Sequence, residues 1–173
     1  MSINIIQGNV LDAKADAIIL SIDGSARGME GNLCRQFASR WPDVWQEVQD
    51  DIRCPIPLGK VFDHEPVTNC AFRLILLVST LHHREVLDDR AKMGVIRTAM
   101  ENAIKLTVQY DVETMATAIM SGGWRLSQER AFLAMAEGYD SASRIKTDIN
   151  LDIYVLDTVH HKKISSLAKS IGW

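Results

Sequence analysis

Two short apolar runs, Arg73-Leu-Ile-Leu-Leu-Val-Ser79 and Thr114-Met-Ala-Thr-Ala-Ile-Met120, bracket one long amphipathic stretch, and no other feature narrows the fold as much. A strand that is apolar at nearly every position is buried on both faces, as inside a sheet covered by helices. Between the runs, Asp88 to Gln109 places Ile96, Ala99, Met100, Ala103, Ile104 and Val108 at three-and-four spacing. That periodicity predicts a helix laying one face on the sheet.

The alternation extends in both directions. Ile3, Ile5 and Ile6 before Gly8, Asp16-Ala-Ile-Ile-Leu-Ser21, Lys60 to His64 and Leu151-Asp-Ile-Tyr-Val-Leu156 read as further strands. From Gly28 onward Leu33, Phe37, Ala38 and Trp41 fall at helical spacing. Pro42 ends that helix and starts a second carrying Val44, Trp45 and Val48. Gln128 to Glu137 is expected to be a helix stopped by Gly138, and Lys162 to Ile171 a terminal helix. Strands alternating with helices predict an α/β fold, a three-layer α/β/α sandwich with a mixed central sheet. No repeat or linker divides the single domain expected over residues 1–173.

Composition limits what such a domain can grip. With 19 Lys plus Arg against 22 Asp plus Glu, the net charge is −3. The chain therefore lacks an overall positive field for a nucleic-acid backbone, and any anion site must be local. Cys34, Cys54 and Cys70, at spacings matching neither zinc nor a disulfide framework, read as core or half-buried thiols in a reducing compartment. The start shows no secretory signal and no apolar stretch suits a bilayer, so the expected location is cytoplasmic, with no membrane partner. No His, Asp and Glu set has metal-ligand spacing, and no cofactor is expected. Met29, Met93, Met100, Met115, Met120 and Met135 read as core filling. Arg84 to Arg90 reads as a solvated approach to a helix, and His160 and His161 as a solvated helix start.

Ligands of an open α/β sheet gather at the carboxyl ends of strands, where backbone N–H groups and helix N-termini surround a crevice. Two loops fit that position, Asp23-Gly-Ser-Ala-Arg-Gly-Met-Glu-Gly31 and Ser121-Gly-Gly-Trp-Arg-Leu126. Each has glycines that let backbone approach a phosphate and an arginine, Arg27 or Arg125, that could neutralise charge. Neither matches a Walker or dinucleotide fingerprint, and either taken singly also reads as a plain turn.

In order and spacing these pieces resemble the macro domains, which bind ADP-ribose and in some branches hydrolyse ADP-ribosyl bonds. Ile5-Ile-Gln-Gly-Asn-Val10 and Ala15-Asp-Ala-Ile-Ile19 resemble the family's opening strands, Gly28-Met-Glu-Gly-Asn-Leu33 its first phosphate loop, and Leu76 to Ser79 a central strand. Ala118-Ile-Met-Ser-Gly-Gly-Trp124 is similar to the second phosphate loop, and Asp152 to Asp157 to the closing strand. With Phe37 and Trp41-Pro42, the first loop is most similar to the branch containing terminal ADP-ribose glycohydrolase.

The resemblance implies a diphosphate clasped between the two loops, a base near the first strand's end and a distal ribose near the first glycine loop. It implies ligand contacts from Asn9, Val10, Gly28, Met29, Gly31, Ser121, Gly122, Gly123, Trp124 and Arg125. Asn9 stands where the family usually has an aspartate accepting from the adenine amino group; an asparagine can accept or donate. Asp23 can accept from a ribose diol or bond its own backbone in a turn. Glu30, expected in the first helical turn, can favour the helix dipole or repel a phosphate. Trp124 can stack on the ligand or pack on its own loop.

The branch's catalytic lysine and acid have no counterpart in Ser79-Thr-Leu-His-His83 or Gly122-Gly-Trp-Arg125. Of the titratable replacements His82 and His83, His82 is, with Asp23, a candidate catalytic base. The implied function is an ADP-ribose reader, whose partner is ADP-ribose, a related nucleotide or an ADP-ribosylated macromolecule. The alternatives are an ADP-ribosyl hydrolase with a noncanonical base, or a degenerate fold serving as a protein interaction platform.

Overall fold

A computed structural model describes residues 2–26, 31–121, 123, 125–144 and 149–173. In chain order the strands are β1 (Ile3–Gln7), β2 (Ala17–Asp23), β3 (Val61–His64), β4 (Leu74–Leu81), β5 (Thr114–Ala118) and β6 (Asn150–Val155). The helices are α1 (Asn32–Arg40), α2 (Pro42–Asp51), α3 (Asp89–Leu106), α4 (Gln128–Ser143) and α5 (Thr158–Ser170). Short 3₁₀ turns occupy Val10–Asp12 and Thr107–Gln109.

The strands form one sheet in the order β1-β6-β5-β2-β4-β3. Every pairing is parallel except that of β3 with β4, which is antiparallel, so the sheet is mixed as expected. Alternation along each strand divides the core in two. Ala17, Ile19, Leu74, Leu76, Met115 and Ile153 meet α3, α4 and α5 on one face. Ile18, Leu20, Ile22, Ile75, Leu77 and Ala116 meet α1 and α2 on the other. Leu74 to Val78 are all buried, as the unbroken apolar run requires of an interior strand. Each large side chain hidden this way contributes about 1.5–3 kcal/mol of transfer free energy.

Pro42 sits in the first turn of α2, where its missing N–H costs no helical bond, and α1 ends against it. Asp88 caps α3, accepting from Ala91 N at 2.7 Å. The terminal helix starts earlier than expected because Asp157 caps it, accepting from His160 N at 2.9 Å, which places His160 and His161 in its first turn.

Gly138 does not end α4. The helix continues to Ser143, and the glycine marks its closest approach to α3: a Cβ there would lie 2.3 Å from the Arg97 carbonyl oxygen and 3.0 Å from Met100 Cβ. Helix-to-helix contact, rather than termination, explains that glycine. Cys34 is buried, Cys54 and Cys70 are half-buried, and none of the three is in a disulfide. Among the described residues no helix is long and apolar enough to cross a membrane.

Candidate functional site

Strands β2 and β5 are neighbours, yet the chain leaves their carboxyl ends toward opposite faces. β2 leads to α1, packed with Phe37 in one core layer; β5 leads to α4, packed with Phe132 in the other. Where adjacent connections diverge, the strand ends leave a crevice. A cleft of about 590 Å³ occupies it, within the range of about 300–1,000 Å³ usual for small-molecule sites.

One end of the cleft is formed by Gly8, Asn9 and Val10 after β1, with Tyr154 and Leu156 of β6 and the turn behind it. The middle is formed by Thr117 to Ser121 and Gly123 at the end of β5, with Ile19 and Ser21 of β2. Gly31, Asn32, Leu33 and Gln36 at the start of α1, and Gln128 at the start of α4, complete it. Thus Gly31 and Gly123, from loops far apart in sequence, share one cavity. No lining residue among those described carries a charged side chain.

The α1 end is open in a specific sense. Gly31 is its N-cap and has no side chain to accept from the helix's first N–H groups, whereas Asp88, Ser127 and Asp157 do so for α3, α4 and α5. A helix start, with about half a positive charge of helix dipole, favours an anion. At the β1 end, Asn9 Oδ1 accepts from Leu11 N at 3.0 Å and so caps the 3₁₀ turn. Burial of Val10 and Leu11, both 3% exposed, fixes that turn. The Tyr154 hydroxyl has its acidity suppressed by burial, with the Asp152 and Asp12 charges adding to the effect, and remains a phenol at neutral pH.

Of the residues singled out in the sequence, Asn9, Val10, Gly31, Ser121 and Gly123 line this cleft. Gly28, Met29, Gly122 and Trp124 lie outside the described residues, as do Arg27 and Glu30. Arg125 is exposed and is not in the lining; its φ of 53° places it in the left-handed region as the loop turns into α4.

Asp23 and His82 are likewise not in the lining of this cleft, and their polar atoms are engaged elsewhere. Asp23 Oδ1 accepts from Ser25 N at 2.9 Å and Ser25 Oγ at 2.6 Å, while Oδ2 accepts from His83 N at 3.1 Å. That is the local turn bonding available to an aspartate at a strand end. The His82 ring lies between two acceptors, Glu85 Oε1 at 2.8 Å from Nδ1 and Ile56 O at 2.7 Å from Nε2. His83 Nδ1 lies 2.8 Å from Ser25 Oγ.

Sequence reasoning missed Ser21, Asn32, Gln36, Tyr154 and above all Gln128. Gln128 Oε1 is buried with no hydrogen-bond partner among the described residues, and the residue lines the cleft. The available signal was position: Gln128 and Asn32 open the helices that follow the two glycine loops.

No protein-family model matches the sequence, and no curated protein is similar to it in sequence. Solved structures are similar in fold. The macrodomain of Mycobacterium tuberculosis DarG shares 17% identity with a TM-score of 0.71, over 90% of this chain and 98% of that one. A mutant Oceanobacillus iheyensis macrodomain shares 12% with a TM-score of 0.79, over 96% and 90% respectively. A Trypanosoma brucei macrodomain in complex with ADP-ribose shares 14% with a TM-score of 0.75, over 98% of this chain and 69% of that one. The chain has the macrodomain fold.

Proposed function

We propose that this macrodomain-fold chain binds ADP-ribose or a related nucleotide diphosphate in the cleft between α1 and the loop after β5. One observation carries the reading: the glycine-capped N-terminus of α1 and the residues Ser121 and Gly123 converge on one cavity at the parallel strand ends. Backbone N–H groups presented this way hold phosphate oxygens without a charged side chain. The described lining is neutral, so it offers contacts for holding a ligand and no carboxylate or imidazole to activate water. This favours a reader over a hydrolase. The complex of a macrodomain with ADP-ribose supports the same ligand class here. Cys34, Cys54 and Cys70, none of them in a disulfide, suit a reducing compartment such as the cytoplasm.

Calorimetric titration with ADP-ribose, AMP and NAD tests the reading. Saturable heat with ADP-ribose, weaker with AMP, is the expected result, and no heat with any of the three overturns it. Incubation with an ADP-ribosylated protein then separates reader from eraser. Released ADP-ribose, with turnover lost in Asp23→Ala or His82→Ala, would replace the reader assignment.

A further inference from the structure

We propose that the cleft reads the base of its nucleotide through Asn9, preferring a base that presents a carbonyl oxygen there, such as hypoxanthine or guanine, over adenine, which presents an amino group. The proposal rests on the nucleotide reading above and narrows it.

The cleft is polar along its length. The sheet order puts the start of α1, which follows β2, apart from Asn9, the ring of Tyr154 and Leu156, which follow or belong to β1 and β6. A nucleotide has the same polarity, with anionic phosphates at one end and a flat base with hydrogen-bonding edges at the other. Seating the phosphates against α1 puts the base beside Asn9 and Tyr154.

Asn9 is set to donate. Its amide oxygen and nitrogen are not interchangeable, because Leu11 N–H, 3.0 Å away, is a donor and must face the oxygen. Asp12 N also donates to the Asn9 carbonyl at 3.0 Å, so the residue is held through main chain and side chain together. What remains is the amide NH₂, without an acceptor among the described residues, on a residue that lines the cleft. No carboxylate in the described lining can receive an exocyclic amine. The acids closest in sequence or on the neighbouring strand are engaged, Asp12 with Arg40 at 2.5 Å and Asp152 with Asn4 at 2.8 Å. A base carbonyl opposite this NH₂ gains a hydrogen bond, whereas a base amino group brings two donors face to face. One neutral hydrogen bond gained against one donor left unpaired corresponds to about tenfold in affinity.

The test is calorimetric titration of the full chain with ADP, inosine diphosphate and GDP. ADP and inosine diphosphate carry the same phosphates and ribose and differ only in the base. Inosine diphosphate and GDP are expected to bind about tenfold more tightly than ADP. Asn9→Asp, which keeps the Leu11 cap because both residues cap equally well, is expected to reverse the order. ADP binding as tightly as inosine diphosphate overturns the base preference and leaves the nucleotide reading standing. An unchanged ratio in folded Asn9→Asp overturns Asn9 as the reading residue. No heat with any nucleotide, ADP-ribose included, overturns both. If thermal melting shows that Asn9→Asp is unfolded, the order measured with the unaltered chain decides alone.

Discussion

Gln128 opens α4, lines the cleft and buries its amide oxygen without a hydrogen-bond partner among the described residues. An acceptor stripped of water and left unpaired destabilises a fold by about 1–3 kcal/mol. Replacing Gln128 with methionine removes the orphan atom, keeps the side chain's length and leaves helix propensity nearly unchanged. The Ser127 cap is untouched, since its hydroxyl accepts from the Arg130 amide. The ligand-free variant should therefore be more stable than the parent by about 1 kcal/mol, a rise in Tm of about 2–4 °C for a domain of this size. Binding should move the other way. Once the Gln128 side chain turns into the cleft, a ligand hydroxyl or N–H that pairs with Oε1 contributes about 0.5–1.5 kcal/mol, so Gln128→Met should weaken nucleotide binding by about 2–12-fold. Thermal melting without ligand and calorimetry with it measure the two quantities independently. A variant that melts lower and binds as well as the parent would show that the oxygen is satisfied by a buried water, and the reasoning fails.

Three further outcomes follow from other contacts. Glu47 accepts from the Thr68 hydroxyl and from the Val67 and Thr68 amides and pairs with His64, which holds its carboxyl at about 2 against the ordinary 4.5. A carboxylate with a depressed folded pKa stabilises fully above the unfolded value, and its contribution is lost as pH falls from about 4.5 toward 2. Urea melts across that window should show the parent losing stability more steeply than Glu47→Gln, and parallel losses would refute the assignment. Gly123→Val should abolish close backbone approach in the cleft and weaken ADP-ribose binding. The atoms nearest the new Cβ belong to Leu81, with Cδ2 at 2.8 Å, a movable side-chain end, so Tm should change little; undiminished affinity would remove that loop as a phosphate cradle. Gly138→Ala drives a methyl group against the Arg97 carbonyl oxygen at 2.3 Å. Separating α3 from α4 should cost about 1–3 kcal/mol in chemical denaturation, and an unshifted midpoint would contradict the packing argument.

The elements were legible because their periodicities are local. The unbroken apolar run of β4, the three-and-four spacing of α3 and the proline at the head of α2 each state a structure within a dozen residues. What failed to be legible depends on partners distant in sequence. Gly138 as a helix stop and Gly138 as a helix contact look identical until Arg97 is placed beside it. His82 looks like an available base until Glu85 and Ile56 are seen holding both ring nitrogens. Gln128 looks like an ordinary opening residue until its oxygen is found buried.

The cleft shows the same division at larger scale. Each glycine loop could be recognised as the exit from a strand, and each alone remained a turn. What makes them a site is that β2 and β5, separated in the chain by β3, β4 and α3, become adjacent in the sheet while their helices depart to opposite faces. The crevice is a property of that strand order, so residues with no motif of their own, such as Tyr154 and Ser21, enter its lining by register alone. A sequence change that left both loops intact but disturbed the β2–β5 pairing at Ala17–Met115 to Ile19–Thr117 should therefore impair nucleotide binding as surely as a change in either loop.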